Sequence, residues 1–197
     1  MTLTSLRVMT YNSHASIGND DCVTPPQPAG VPPNPACGLD IERLASVVRA
    51  EQPDIVGLQE VDRFWARTAY TDQPAEFARL LEMDFAFGAN LDRQPNQHSD
   101  RDHQYGVATL TPHHIVRHRN TLYPNYYGWE QRGLLETIVE LYGVGEIAIL
   151  NTHLQVSLDG RREEAAQQRH DQIAMIAERV RHLDMPVIVL GDFNTPP

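Results

Sequence analysis

The chain has 197 residues and a mass of 22.2 kDa, which fits one domain able to bury a sizeable core. Its 26 acidic residues outweigh 16 basic ones for a formal net charge of -10, and every basic residue is Arg. That argues against broad electrostatic capture of duplex DNA, while leaving room for a small basic cleft. No apolar run reaches the roughly 18 residues that a membrane-spanning helix needs, and the first predicted strand starts almost at Met1, so no signal peptide is expected within these residues, though a trimmed leader would leave the same start.

In chain order, Leu6 to Tyr11 reads as a strand with Asn12 at its end. Residues 19–38 follow as a Pro-rich loop insertion without helix or strand of its own, holding the only two cysteines, Cys22 and Cys37. A disulfide between them would restrict the unfolded chain by about 3 kcal/mol and mildly favours a secreted or periplasmic home. Two reduced thiols in a cytosolic protein are the alternative. Asp40 is an N-cap for a helix from Ile41 to about Glu51, with Ile41, Leu44 and Val48 on one face, and Pro53 stops it. Asp54 to Gln59 is the next strand, ending at Glu60, and Pro74 to Met83 is a second helix.

Leu91 to Gln104 is polar without periodicity and reads as an exposed loop; strand candidates follow at Tyr105 to Leu110 and Ile115 to Arg119. Leu134 to Tyr142 alternates, with Leu135, Thr137, Val139 and Leu141 facing one way and Glu136 and Glu140 the other, as in a half-buried strand. Glu146 to Leu150 delivers Asn151, Thr152 and His153 at its end, and Gly160 to Leu183 is a long helix with Ile173, Ile176, Val180 and Leu183 on one stripe. Val187 to Leu190 reads as a strand with water excluded from both faces. Gly191 then breaks it, so that Asp192 and Asn194 emerge at the carboxyl edge of a sheet.

Four apolar strands thus end in Asn12, Glu60, His153, and Asp192 with Asn194, a recurrence that suits a site assembled at one sheet edge. A carboxylate there takes a proton from water or holds a hard cation, and an amide donates to a phosphoryl oxygen. Taken singly, each residue also fits a bland role: a turn, a cap or a satisfied core histidine. The five histidines His98, His103, His113, His114 and His118 fit no compact zinc pattern and read as surface residues. His14 is either a substrate contact or an exposed histidine, and Asp62 supports the site or caps a loop.

T-Y-N at 10–12, Q-E-V-D at 59–62, Y-G-V-A at 105–108, N-T-H-L at 151–154 and G-D-F-N at 191–194 resemble, in order and spacing, the endonuclease/exonuclease/phosphatase superfamily. The resemblance covers the whole chain, read as one domain over 1–197. It implies an α+β fold, a four-layer α/β/β/α sandwich of two packed mixed sheets, with a single metal-dependent phosphoester hydrolysis site. By motif, Glu60 would bind Mg²⁺, or Mn²⁺, with Asn12 in the same shell. His153 would bond a phosphoryl oxygen, Asn194 would orient the phosphate, and Asp192 would position or deprotonate the attacking water. Arg132, in Q-R-G-L-L-E, matches a phosphate-contacting arginine, and Tyr105 is either a substrate contact or a half-buried strand aromatic. Family members continue past G-D-x-N to a final S-D-H that serves proton transfer. No S-D-H occurs here, so the chain reads as incomplete at its C-terminus, lacking the last strands, and is expected to be weakly active or inactive without that proton-transfer pair. The alternative is a phosphate-binding module or defective fragment of the same fold. A calcineurin-type phosphatase would need D-x-H and G-N-H-[DE] runs, and neither is present. The substrate expected is a phosphoester, whether small molecule, lipid headgroup or nucleic acid, with the acidity and the missing Lys leaning towards a small or lipid-linked phosphodiester rather than duplex DNA, and the protein is expected to be a monomer.

Overall fold

The computed structural model describes residues 5–17, 38–95, 100–157 and 160–195. Cys22, Cys37, His98 and the Pro-rich insertion up to residue 37 lie outside the described residues. Eight strands and three helices are described, in two mixed four-stranded sheets. The first sheet joins β1 (Val8–Asn12), β2 (Ile55–Arg63), β4 (His103–Thr111) and β3 (Asp84–Arg93) in that order. The second joins β5 (His114–Leu122), β6 (Gly133–Leu141), β7 (Gly145–His153) and β8 (Val187–Asp192).

Each sheet contains one parallel pair, β1 with β2 and β7 with β8, and each pair is bridged by a helix, as parallel strands require. α1 (Ile41–Glu51) is capped by the Asp40 carboxylate, which accepts from the Arg43 N–H at 2.8 Å, and it ends at Gln52 in left-handed backbone before Pro53. With α2 (Gln73–Leu81) it covers the outer face of the first sheet, where Ala45, Val48 and Phe77 pack on Val56, Leu58 and Leu110. α3 (Arg162–Arg181) covers the second sheet through Ile176 on Leu134, Leu150 and Leu154. Between the sheets, Ile55 meets Val139, Ile149 and Leu190, while Ala86 and Val107 meet Leu135. The result is an α/β/β/α sandwich in which the sheets stack with β1 against β8 and β3 against β5. Among the described residues, no helix is long and apolar enough to cross a membrane.

Several local readings change. The loop expected at Leu91 to Gln104 shrinks, because Asp84–Arg93 is a full strand paired with β4. Its inward residues are the small Ala86, Gly88 and Asn90, and a Cβ on Gly88 would stand 2.7 Å from Asn120 Oδ1. β3 therefore approaches β5 too closely for the bulky alternation by which a strand is recognised. Gly191 does not end β8: pairing runs through Gly191↔Thr152 to Asp192↔His153. Glycine is required there because φ is +150° and a Cβ would lie 2.1 Å from the Thr152 carbonyl oxygen. β8 is also wetter than its four apolar residues suggested, with Val189 38% exposed. β6 is covered on both faces rather than half-buried: Leu134 and the fully buried Ile138 share the outer side with Glu136, whose carboxylate grips Arg179 of α3.

The α3 stripe is rotated from the expected one. Ile173 is exposed, and Gln168 and Gln172 are buried instead, because each has a hydrogen bond to make: Gln168 Nε2 donates to Pro124 O, and Gln172 Oε1 accepts from the Gln155 N–H at 3.0 Å. His103, expected at the surface, is 4% exposed and leans on Trp65 with ring centroids 5.7 Å apart; His114 and His118 are exposed.

Candidate active site

The four strand ends come from two sheets, not from one sheet edge. β1 and β2 of the first sheet and β7 and β8 of the second point the same way, and their carboxyl ends meet across the open corner of the sandwich. Below that corner a polar tie crosses the core: Gln59 Nε2 donates to Asn151 Oδ1 at 2.8 Å, and Asn151 Nδ2 donates to the carbonyls of Ala108 at 2.8 Å and Leu58 at 3.3 Å. Thr10 joins Gln59 from β1. Gln59 and Asn151 are at most 1% exposed, so these bonds satisfy groups that would otherwise lie buried without partners.

Glu60 is placed by a break in β2. Pairing with β4 shifts register between Leu58 and Val61, so two residues face one across the ladder, and Glu60 adopts left-handed backbone at φ 57°. Gln59 and Glu60 are thereby both turned toward the second sheet. A non-glycine residue held there costs about 1–3 kcal/mol and needs its surroundings to hold it. Ser13 supplies one hold: its N–H donates to Gln59 O at 2.9 Å, and its hydroxyl reaches Gln59 O at 2.9 Å and Glu60 O at 3.1 Å. Gln73 supplies another, accepting from the Asp62 N–H at 2.9 Å while donating to Ala15 O at 2.6 Å. Asp62, fully buried, is clamped by two Arg67 bonds of 2.7 Å.

Asn12 sits at the meeting point. Its Nδ2 donates to Glu60 Oε1 and to Asp192 Oδ2, each at 3.0 Å, so one amide bridges carboxylates from different sheets. Its Oδ1 accepts from the His14 N–H at 3.1 Å, which turns that oxygen away from the carboxylates. His14 itself is exposed and leaves the strand line, since His14 to Ser16 form a left-handed turn. Burial raises the affinity of Asp192 for a proton, but the Asn12 amide and the Asn194 N–H hold the carboxyl below its ordinary value. The Asn194 N–H donates to Asp192 Oδ1 at 3.0 Å.

His153 is 3% exposed, with Nε2 3.7 Å from Asp192 Oδ2 and 4.0 Å from Glu60 Oε1. Desolvation, and then the Arg132 charge, push its imidazole down to about 4 against the pull of the two carboxylates, so it is neutral at neutral pH. Asn194 Nδ2 lies 2.9 Å from Nε2 and donates to Leu154 O at 2.9 Å. Arg132 is 5% exposed; its Nη1 is 2.8 Å from His153 Nδ1 and 3.0 Å from Glu130 Oε1. Tyr105, 5% exposed, lies against Arg132, and burial, followed by Glu130 and Glu60, pushes its phenol well above the usual range.

All seven predicted site residues, Asn12, Glu60, Tyr105, Arg132, His153, Asp192 and Asn194, therefore gather at one corner. Sequence reading missed the supports Ser13, Gln73 and Asn151. Ser13 and Asn151 lie inside or beside the recognised motifs, whereas nothing in the local sequence marks Gln73. A cleft of about 1000 Å³ runs from Asn12 and Asp192 to Arg162 and Arg169 of α3. Near the corner, Arg67 lies 5.4 Å over the Tyr105 ring and 5.6 Å over Trp65, and Arg161 lies 4.2 Å over Trp129.

Comparison with known proteins agrees with this architecture. No curated protein sequence matches the chain. Among solved structures, an endonuclease/exonuclease/phosphatase from Beutenbergia cavernae DSM 12333 superposes with a TM-score of 0.69 at 27% identity, covering 96% of this chain and 47% of that one. D. rerio TDP2 complexed with a single strand DNA product gives 0.60 at 18% identity, covering 98% and 62%. The human Nocturnin catalytic domain with bound sulfate gives 0.56 at 20% identity, covering 80% and 58%. The chain thus spans about half the length of the first of these. The sequence profile of the Endonuclease/Exonuclease/phosphatase family matches residues 9–197, and the chain belongs to that family.

Proposed function

We propose that the chain carries the centre of a Mg²⁺-dependent phosphoester hydrolase. One observation carries the reading: Glu60 and Asp192, delivered by separate sheets, converge on a single amide with a neutral histidine and a second amide beside them. The donor set fits a hard cation. Two carboxylates, Glu60 and Asp192, meet at the corner, and an ion that takes one or two carboxylates and keeps much of its water, as Mg²⁺ or Mn²⁺ does, suits them. Glu60 would hold it. Asn12, with its oxygen committed to His14, would act by donating from Nδ2 and keeping the carboxylates together. When bound, the ion would polarise a phosphoryl oxygen and balance charge on the reacting phosphate. Asp192, fixed at both oxygens, would orient water and accept its proton; His153 and Asn194 would bond phosphoryl oxygens.

For the substrate, a single-stranded nucleic acid is the reading best supported. The D. rerio TDP2 neighbour holds a single strand DNA product, and the cleft beside Asn12 and Asp192 is bounded by Arg162 and Arg169 of α3, which supply local positive charge without a broad basic surface. The net charge of -10 and the absence of Lys disfavour duplex capture.

Purified chain should melt later in Mg²⁺ than in EDTA and, slowly because these residues hold no S-D-H, cleave a single-stranded oligonucleotide faster than plasmid or a sphingomyelin-like diester. Glu60→Gln should remove both the shift and the cleavage, and Asp192→Asn the cleavage. A chain whose melting ignores Mg²⁺ and which turns over none of the three substrates would refute the reading.

A further inference from the structure

The resemblance to the family implies that Arg132 touches the phosphate, yet its guanidinium stands behind His153, on the Nδ1 side of the ring, while the carboxylates lie on the Nε2 side. We propose that Arg132 is a positioning residue, holding His153 in the tautomer that carries its hydrogen on Nε2 and aims it at the reacting phosphoryl group. The proposal rests on the phosphoester-hydrolase reading for its function, but not for its geometry.

A guanidinium has donors and no acceptor. With Arg132 Nη1 2.8 Å from Nδ1, a bare Nδ1 accepts from the buried cation, and a neutral imidazole then carries its hydrogen on Nε2. The other side of the ring agrees: Nε2 faces Asp192 Oδ2 at 3.7 Å and Glu60 Oε1 at 4.0 Å, and an N–H is favoured before two carboxylates. The opposite tautomer would set an N–H against a buried cation and a lone pair against two carboxylates. Both contacts would be repulsive in a place shielded from water, since Arg132 and His153 are each at most 5% exposed.

One neighbour stands apart from this arrangement. Asn194 Nδ2 is 2.9 Å from Nε2, so two donors face one another. Turning the amide over would place its oxygen against Leu154 O, which now accepts from Nδ2 at 2.9 Å. Each tautomer thus opposes one pair of donors: with the hydrogen on Nδ1 it faces the Arg132 cation, and with the hydrogen on Nε2 it faces the neutral Asn194 amide, the milder of the two, leaving two adjacent donors without a shared acceptor. A phosphoryl oxygen seated between them would accept from both. On this account Arg132 pays for its burial indirectly, by fixing which nitrogen of His153 donates, and Glu130 Oε1 at 3.0 Å balances its charge.

The test is nitrogen-detected NMR of the histidine side chains in the full metal-free chain, with the His153 signals assigned from His153→Gln. The wild type should show Nε2 protonated, Nδ1 bare, and a coupling through the hydrogen bond from Arg132. Arg132→Lys, which keeps a donor, should preserve the tautomer; Arg132→Gln should change its population several-fold. In turnover, Arg132→Gln should lower kcat by about tenfold or more with KM within about twofold, and Arg132→Lys should restore it. A wild-type His153 protonated on Nδ1 overturns the proposal, and so does a tenfold rise in KM at constant kcat, the mark of direct phosphate contact. The wild-type spectrum decides even if Arg132→Gln fails to fold. Because it needs no turnover, a failure of the hydrolase reading is told apart from a failure of this one.

Discussion

Replacing Gly191 with Ala tests whether close strand approach sets the position of Asp192. A Cβ there would lie 2.1 Å from the Thr152 carbonyl oxygen, whereas real Cβ atoms keep at least 3.0 Å, so β8 would have to part from β7 by about 0.9 Å. The obstacle is backbone and cannot rotate aside. The +150° φ adds about 1–3 kcal/mol of strain for an L side chain, and disturbing one or two ladder bonds beside it adds about 1 kcal/mol each. The expected loss is about 2–5 kcal/mol, a large part of the roughly 5–15 kcal/mol that stabilises a domain. Urea unfolding in EDTA measures it. Gly143→Ala is the control, since Gly143 has φ +76° with nothing within 4 Å and should lose only about 1–2 kcal/mol. If Gly191→Ala is no more destabilising than Gly143→Ala, the close-approach account of β8 is wrong.

Two further outcomes follow from the buried polar groups. Asn151→Leu, similar in size, strands the carbonyls of Leu58 and Ala108 and one Gln59 donor bond, so chemical unfolding should show a loss of about 3–5 kcal/mol, whereas a loss under 1 kcal/mol would mean that water or neighbours replace the tie. His153 should make stability pH-dependent in metal-free buffer. The unfolded imidazole protonates near 6.5 and the folded one only near 4, so between those values the unfolded chain binds more protons and stability falls as pH falls, by at most about 1.4 kcal/mol per unit. His153→Gln should flatten that slope between pH 6.5 and 4.5; an unchanged slope would assign it to other groups.

The site was more legible in the sequence than its setting. Asn12, Glu60, His153 and Asp192 were readable because apolar strands that stop on acids, amides and histidine repeat four times, and the chemistry of the end residues survives any error in where the strands lie. What the pattern could not convey was which sheet each strand joins: strand periodicity reports one buried face, not the partner across the core, so one sheet edge was expected where two sheets contribute. β3 escaped because Ala86, Gly88 and Asn90 are small or polar where two sheets touch closely. The stripe on α3 was misassigned because hydrogen-bonded Gln168 and Gln172 occupy buried positions that hydrophobicity gives to Ile173. Gly191 was read as a breaker from its freedom of φ, when its missing side chain is what the strand requires.

The spacing between Glu60 and Asp192 belongs to neither strand alone. It is the thickness of the apolar filling between the sheets, set by Ile55, Ile149 and Leu190 and fastened by Gln59 and Asn151. Stacked sheets sit about 10 Å apart, and a methylene added or removed at Leu190 would act like a shim under one jaw of a vice. Substitutions far from solvent can therefore retune the distance between the two carboxylates, and mutational screens of the corner should include the floor of the sandwich as well as its rim.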